Sequence, residues 1–167
     1  MTASQRPRWL TPEQTAAWLP LVGATVWLPA ALDAQLQRDV GMTYVEYGVL
    51  SWLSMSPDRT ARMSEIAALA NVKLSHLSRI AARLEKRGWM RRTPDPNDGR
   101  ATLAILTDQG WDKVVATAPG HAEEVQRLVF DNLSAADVRH LQRIAERIVK
   151  AAKPDLCLPR QPTSPAG

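Results

Sequence analysis

The sequence predicts a mainly α-helical chain with one small β-hairpin, arranged as a helix-turn-helix followed by a β-wing and flanked by long helices. Three observations carry this. Helix-start signatures stand at Thr11, Thr43, Thr107 and Ser134. Apolar residues keep a helical period except between Trp89 and Leu106, where two short runs of bulky and β-branched residues flank the turn-rich PDPNDG. Basic residues gather around that hairpin and the helix before it.

The elements follow in order. Thr11-Pro12-Glu13-Gln14 reads as an N-cap, a proline at the first helical position and a capping-box glutamine. A long apolar segment runs on to about Asp39; Pro20 and Pro29 inside it predict a kinked or broken helix, and Gly41 ends it. Thr43 and Glu46 form a second capping box that opens a helix to about Met55. Ser64 is expected to cap the short helix SEIAALA, with a turn at Asn71-Val72. Leu74 to Arg87 forms the next helix, closed by Gly88. Trp89–Thr93 and Ala101–Leu106 pair as the hairpin. Thr107 caps a helix to about Leu133, kinked at Pro119-Gly120. Ser134 and Asp137 open the last helix, whose Val138, Leu141, Ile144, Ala145, Ile148 and Val149 share one face. This divides the chain into helical segments 11–40 and 107–152, a winged unit 41–106, and flexible tails 1–10 and 153–167.

The 167 residues suffice for one compact domain, or two small units sharing a core. Cys157 is the single cysteine, so no intramolecular disulfide is possible, and in a proline-rich tail it reads as incidental. The first residues lack the apolar core of a signal peptide. No run of about 18 apolar residues is seen, so no membrane span and a soluble cytoplasmic protein are expected. There is no Gly-rich phosphate loop, nucleophile motif or metal quartet, so neither an enzyme nor a cofactor or metal is expected. His121, Glu123 and Glu124 read as solvated helix surface.

Between Arg62 and Arg100 lie nine basic and four acidic residues, a net +5. The whole chain carries +4, so the remainder sums to −1. A positive field confined to one unit points to a polyanionic partner. At 100° per residue, Leu77, Ile80, Ala81 and Leu84 fall on one arc of the helix after the turn. The opposite arc holds Ser75, Arg79, Ala82 and Lys86, flanked by His76, Ser78 and Arg83. A helix entering the DNA major groove needs this distribution, with short polar groups at its N-terminal end to reach bases and later cations to meet phosphates.

The segment RLEKRGWMRRTPDPNDGRATLAILTDQG, from Arg83 to Gly110, resembles the MarR (multiple antibiotic resistance regulator) family of transcription factors. The matching features are a leucine-glutamate-x-x-glycine helix end, an arginine-bearing strand, an aspartate-rich wing ending in arginine, and leucine-threonine-x-x-glycine. The resemblance spans roughly residues 12–152. It implies a homodimeric, sequence-specific DNA-binding regulator, most simply a repressor, with one winged unit on each half of a pseudo-palindromic operator. It implies that the first and last helices interlock between subunits, and that Arg100 enters the minor groove, where a narrow A·T-rich groove attracts a guanidinium. Asp98 matches the family's wing aspartate and is expected to hold an arginine; turn formation accounts equally well for Asp95. The DNA-facing candidates are Lys73, Ser75, His76, Ser78, Arg79, Arg83, Lys86, Arg91, Arg92, Asn97, Asp98 and Arg100.

Two features depart from the family pattern. Asn97 stands where a further wing arginine is common, and Lys73 occupies the helix N-cap, where it cannot accept a hydrogen bond. Family members often bind small aromatic effectors between their two units. Trp18, Trp27, Tyr44, Tyr47 and Trp52 either line such a cavity or fill core and interface, and no ligand residue is assigned. The alternatives are a winged-helix module for an acidic protein, or an activator in place of a repressor.

Overall fold

The computed structural model describes residues 7–156. Residues 1–6 and 157–167 lie outside the described residues, and with them Cys157 and most of both expected tails. Six helices and three strands are formed: α1 (Pro12–Val40), α2 (Tyr44–Met55), β1 (Thr60–Arg62), α3 (Met63–Leu69), α4 (Leu74–Lys86), β2 (Met90–Asp95), β3 (Asp98–Leu106), α5 (Asp108–Leu128) and α6 (Ala135–Ala152).

The capping chemistry is as the sequence implies. Thr11, Thr43 and Ser134 each accept a hydrogen bond from the backbone three residues on, and Gln14, Glu46 and Asp137 reach back to the cap N–H groups. Thr107 caps α5 through the Gly110 N–H. Gly88 ends α4 at φ 74°, a left-handed conformation that favours glycine.

Several expectations need correction. α1 is one unbroken helix through Pro20 and Pro29, and α5, which continues through Pro119, ends at Leu128 short of Leu133, before a 3-10 turn at Phe130–Asn132. All three prolines are exposed, as are Ala16, Thr25 and Val115, whose carbonyls they leave unbonded, so water can satisfy them. The cap of α3 stands two residues earlier than expected: Arg62 is its N-cap and its backbone N–H donates to Glu65, while Ser64 is inside the helix. The hairpin strands are longer and its turn tighter, with only Pro96 and Asn97 between them. Because α1 is continuous, the expectation of no long apolar run also fails: by length and composition alone α1 is sufficient to cross a membrane.

The sheet is three-stranded, in the order β1-β3-β2 and antiparallel throughout, with Thr60 opposite Ile105 and Met90 opposite Leu106. Most of the core lies within the winged unit, with Leu36 of α1 and Val114 of α5 joining it. Leu50, Leu53, Ile66, Leu77, Ile80 and Leu84 are buried where α2, α3 and α4 meet, and Met90, Ala104 and Leu106 seal the sheet against them. Each buried Leu, Ile or Met side chain contributes roughly 1.5–3 kcal/mol by leaving water. By contrast α6 buries no residue within the chain, and Leu141, Ile144 and Ile148 are exposed. Trp18, Leu19, Val26 and Trp27 on α1 are exposed as well.

Candidate nucleic-acid interface

The helix-turn-helix is held by its turn. Asn71 takes φ 50°, and the Val72 N–H donates to the Ala67 carbonyl at 3.0 Å. α4 then presents two faces. Leu77, Ile80, Ala81 and Leu84 are buried, while Lys73, Ser75, His76, Arg79, Arg83 and Lys86 are exposed. Lys73 is the N-cap and makes no capping bond, so its ammonium remains at the helix start, facing solvent.

Behind this face, ion pairs join the helices to the wing. Arg92 on β2 is the centre of one set. Its Nη2 lies 2.6 Å from Glu85 Oε2, its backbone N–H donates to Glu85 Oε1 at 2.9 Å, and its Nη1 donates to Ser78 Oγ at 3.0 Å. The hydrogen bond to Arg92 holds the Glu85 carboxyl below the usual range, and Glu85 raises Arg92 in return. Arg83 donates through Nε to Glu46 Oε1 at 2.8 Å. Burial alone would raise the Glu46 carboxyl; the Thr43 N–H and Arg83 outweigh it and hold the group low.

A second clasp ties the start of α3 to the wing. Arg62 Nη2 lies 2.8 Å from Asp95 Oδ2, and Nη1 is 3.7 Å from Asp98 Oδ2. Asp95 Oδ1 also accepts from the Asn97 N–H at 2.9 Å, and Asp98 Oδ1 from the Arg100 N–H at 3.2 Å. Both wing aspartates therefore shape the turn and hold an arginine. Asp95 is buried, and its carboxyl is lowered first by the Asn97 N–H and then by Arg62.

The twelve candidates thus separate. Lys73, Arg79, Lys86, Arg91 and Arg100 are exposed, and their side chains bond to no other described residue. Ser75, His76 and Asn97 are exposed beside them. Arg83, Arg92, Ser78 and Asp98 are engaged within the chain. A cleft of about 340 Å³ opens between the helices and the wing, lined by Arg62, Leu74, Ser78, Arg92, Arg100 and Thr102 among others. Arg62 was not among the candidates. Its partners lie more than thirty residues away, and nothing local in the sequence marks it.

The wing is anchored at its far end by Gly110 on α5. A Cβ there would stand 1.9 Å from the Trp89 carbonyl oxygen and 2.7 Å from Leu106 Cδ1. The leucine-threonine-x-x-glycine pattern therefore records a close approach of α5 to the base of the hairpin.

Comparison with known proteins agrees with this geometry. The family model described as "MarR family" matches residues 42–102, from the start of α2 to within β3. The crystal structure of Sco3205, a MarR family transcriptional regulator from Streptomyces coelicolor in complex with DNA, is 43% identical; the match covers 93% of this chain and 98% of that one, with a TM-score of 0.84. The chain belongs to the MarR family. AbsC, a MarR family regulator from the same organism, is 30% identical with a TM-score of 0.81, covering 89% of this chain and all of that one. The transcriptional repressor IacR of Pseudomonas putida is 30% identical over 112 residues, 67% of this chain and 65% of that protein. Against these sequence relatives the matched region spans about two thirds of their length or less.

Of the five aromatic residues considered for an effector cavity, Tyr44, Tyr47 and Trp52 come together. With Ser51 and His121 they line a cavity of about 200 Å³ between α2 and α5. Trp18 and Trp27 are exposed on α1 and take no part in it within one chain.

Proposed function

We infer that this MarR family member is a homodimeric repressor that binds a pseudo-palindromic operator, one winged unit per half-site. The observation that carries the reading is the separation of the cations. Arg83, Arg92 and Arg62 are paired within the fold: Arg92 ties the wing to α4, Arg62 ties it to the start of α3, and Arg83 ties α4 to α2. Lys73, Arg79, Arg91 and Arg100 are left exposed and unpaired with any described residue. An arrangement that rigidifies one set of cations and leaves another free is suited to a polyanion of fixed shape. Arg79, one turn into α4, reads a base edge; Lys73, Lys86 and Arg91 meet phosphates; Arg100 enters the minor groove.

Segments 11–40 and 107–152 form the dimerisation unit in this reading. The apolar faces of α1 and α6 are too extensive to remain in water. A second copy of the chain covers both, and this accounts for the membrane-like composition of α1 without a membrane. The site of action is the cytoplasm, where the operator is. A small aromatic effector in the cavity lined by Tyr44, Tyr47 and Trp52 would release DNA by altering the spacing of the two recognition helices.

The test is fluorescence-anisotropy titration of labelled intergenic DNA beside the protein's own gene, against scrambled duplex, across a salt series. Binding by two subunits, preferring the intergenic DNA and falling by about 0.9 log units per log unit of salt for each phosphate neutralised, supports the reading. Equal, weak binding to every duplex points instead to an acidic protein partner.

A further inference from the structure

The junction of α1, α2 and α5 contains polar groups that no described residue satisfies. The buried side-chain atoms without a hydrogen-bond partner are Gln35 Oε1 on α1 and Thr117 Oγ1 and His121 Nδ1 on α5. His121 faces α2, the first helix of the winged unit. Its ring centroid lies 4.8 Å from that of Tyr47 and 6.3 Å from that of Tyr44. It also lines the cavity of about 200 Å³ at this junction. The imidazole is therefore wedged between the helices that dimerise and the unit that meets DNA.

The charges on the surrounding helices are engaged elsewhere. On α1, Asp33 accepts from the Tyr44 N–H, and Asp39 from Gln35 and Arg38. On α2, Glu46 is held by Arg83. On α5, Glu124 pairs with Arg127, and Glu123 is exposed. Tyr44 and Tyr47 offer rings and hydroxyls, and burial pushes the Tyr47 hydroxyl up. Among the described residues no carboxylate stands against the imidazole to welcome a proton, and burial holds it below the ordinary histidine range.

We propose that His121 is a proton-responsive wedge: neutral, it lets α5 close on α2; protonated, it drives the two apart and weakens operator binding. The proposal rests on the DNA-binding reading above. An imidazolium needs both ring N–H groups hydrated or bonded, and in the closed arrangement Nδ1 is out of reach of water. The proton thus favours an arrangement with α5 and α2 parted. The closed arrangement belongs to a fold that matches the DNA-bound relative with a TM-score of 0.84, and in this proposal DNA favours it, on the other side of the same equilibrium. Two ligands that prefer opposite states must weaken each other reciprocally. The sign follows. A histidine whose folded value is depressed is neutral and without penalty above about pH 6.5, and opposes the closed state as pH falls toward the folded value. His76 is exposed on α4 among the DNA-facing candidates and is replaced in the test so that His121 is read alone; His140 is exposed on α6.

The experiment compares operator affinity from pH 8 to pH 5.8 at constant ionic strength, using the unaltered protein and His76→Gln protein, each with and without His121→Phe, the pH slopes being read in the His76→Gln pair. Phenylalanine keeps the ring contacts with Tyr44 and Tyr47 and removes the proton; His121→Gln serves should the first variant fold poorly. With His121 present, Kd should rise about five- to tenfold across this range, a coupling typical of linked sites. With His121 replaced, Kd should be flat. An equal slope in both proteins overturns the proposal. An imidazole NMR titration in the absence of DNA gives an independent reading: a midpoint at or above the ordinary histidine value overturns the buried wedge. Failure of every protein to bind the duplex at any pH would instead remove the DNA reading itself, and the proposal with it, while the NMR titration still reports on burial.

Discussion

At the wing, one arginine holds two aspartates, and the consequences are local. Arg62→Ala should leave the helices folded and loosen the turn, weakening operator binding about tenfold with little change in sequence preference, since it touches no base; competition titrations with altered operators would show a preference change if Arg62 reads DNA itself. The Asp95 carboxyl is held below its ordinary value by the Asn97 N–H and Arg62. A carboxyl lowered in the fold stabilises at pH above its unfolded value of about 4 and loses that contribution as pH falls through the folded one. Thermal melts at pH 6 and pH 3.5 should therefore show a smaller acid loss for Asp95→Asn than for the unaltered protein. Arg79→Ala should cost about 1–3 kcal/mol and relax preference at one base position; uniform weakening on all duplexes would contradict base reading. The exposed arginines 79 and 100 were legible in the sequence because helical periodicity and the wing pattern place them. The duties of Arg83 and Arg92 were not. Arg83 finds Glu46 from thirty-seven residues away, and Arg92 finds Glu85 across the α4–β2 turn.

At the level of elements, capping chemistry carried the sequence reading furthest. Thr11, Thr43, Thr107 and Ser134 each open a helix because the signal is local: one side chain and the three residues after it. β1 escaped for the opposite reason. Three residues have no periodicity to read, and they are extended only because β3 supplies a partner from some forty residues further on. The prolines misled because the general penalty for a helical proline assumes that the freed carbonyl has nowhere to go, and here it faces water. Gly110 gives the sharpest test at this scale. Its missing Cβ lets α5 sit on the Trp89 carbonyl, so Gly110→Ala should destabilise by roughly 2–3 kcal/mol through overpacking against backbone. Urea unfolding would read this directly, and a change within about 0.5 kcal/mol would show that the approach is not constrained.

For the whole molecule, one chain leaves long apolar faces open on α1 and α6. Most of its core lies in the winged unit, while α6 buries nothing and Trp27 of α1 is 73% exposed. The sequence announced the apolar face of α6, and a likeness to the family supplied the second copy. Ile144→Glu, placed on that face, should shift the protein toward monomer in sedimentation velocity and weaken operator binding far more than any single phosphate contact, because each half-site then binds alone. A stable dimer with unaltered affinity would place the interface elsewhere. The central claim is that the free cations of α4 and the wing read DNA as a pair of half-sites. It is tested most directly by anisotropy titration of the duplex beside the protein's own gene against scrambled DNA, with stoichiometry and salt dependence read together. Two subunits per duplex, with a strong preference for the intergenic sequence and a steep salt slope, are predicted. One subunit per duplex, or equal affinity for both DNAs, would contradict it.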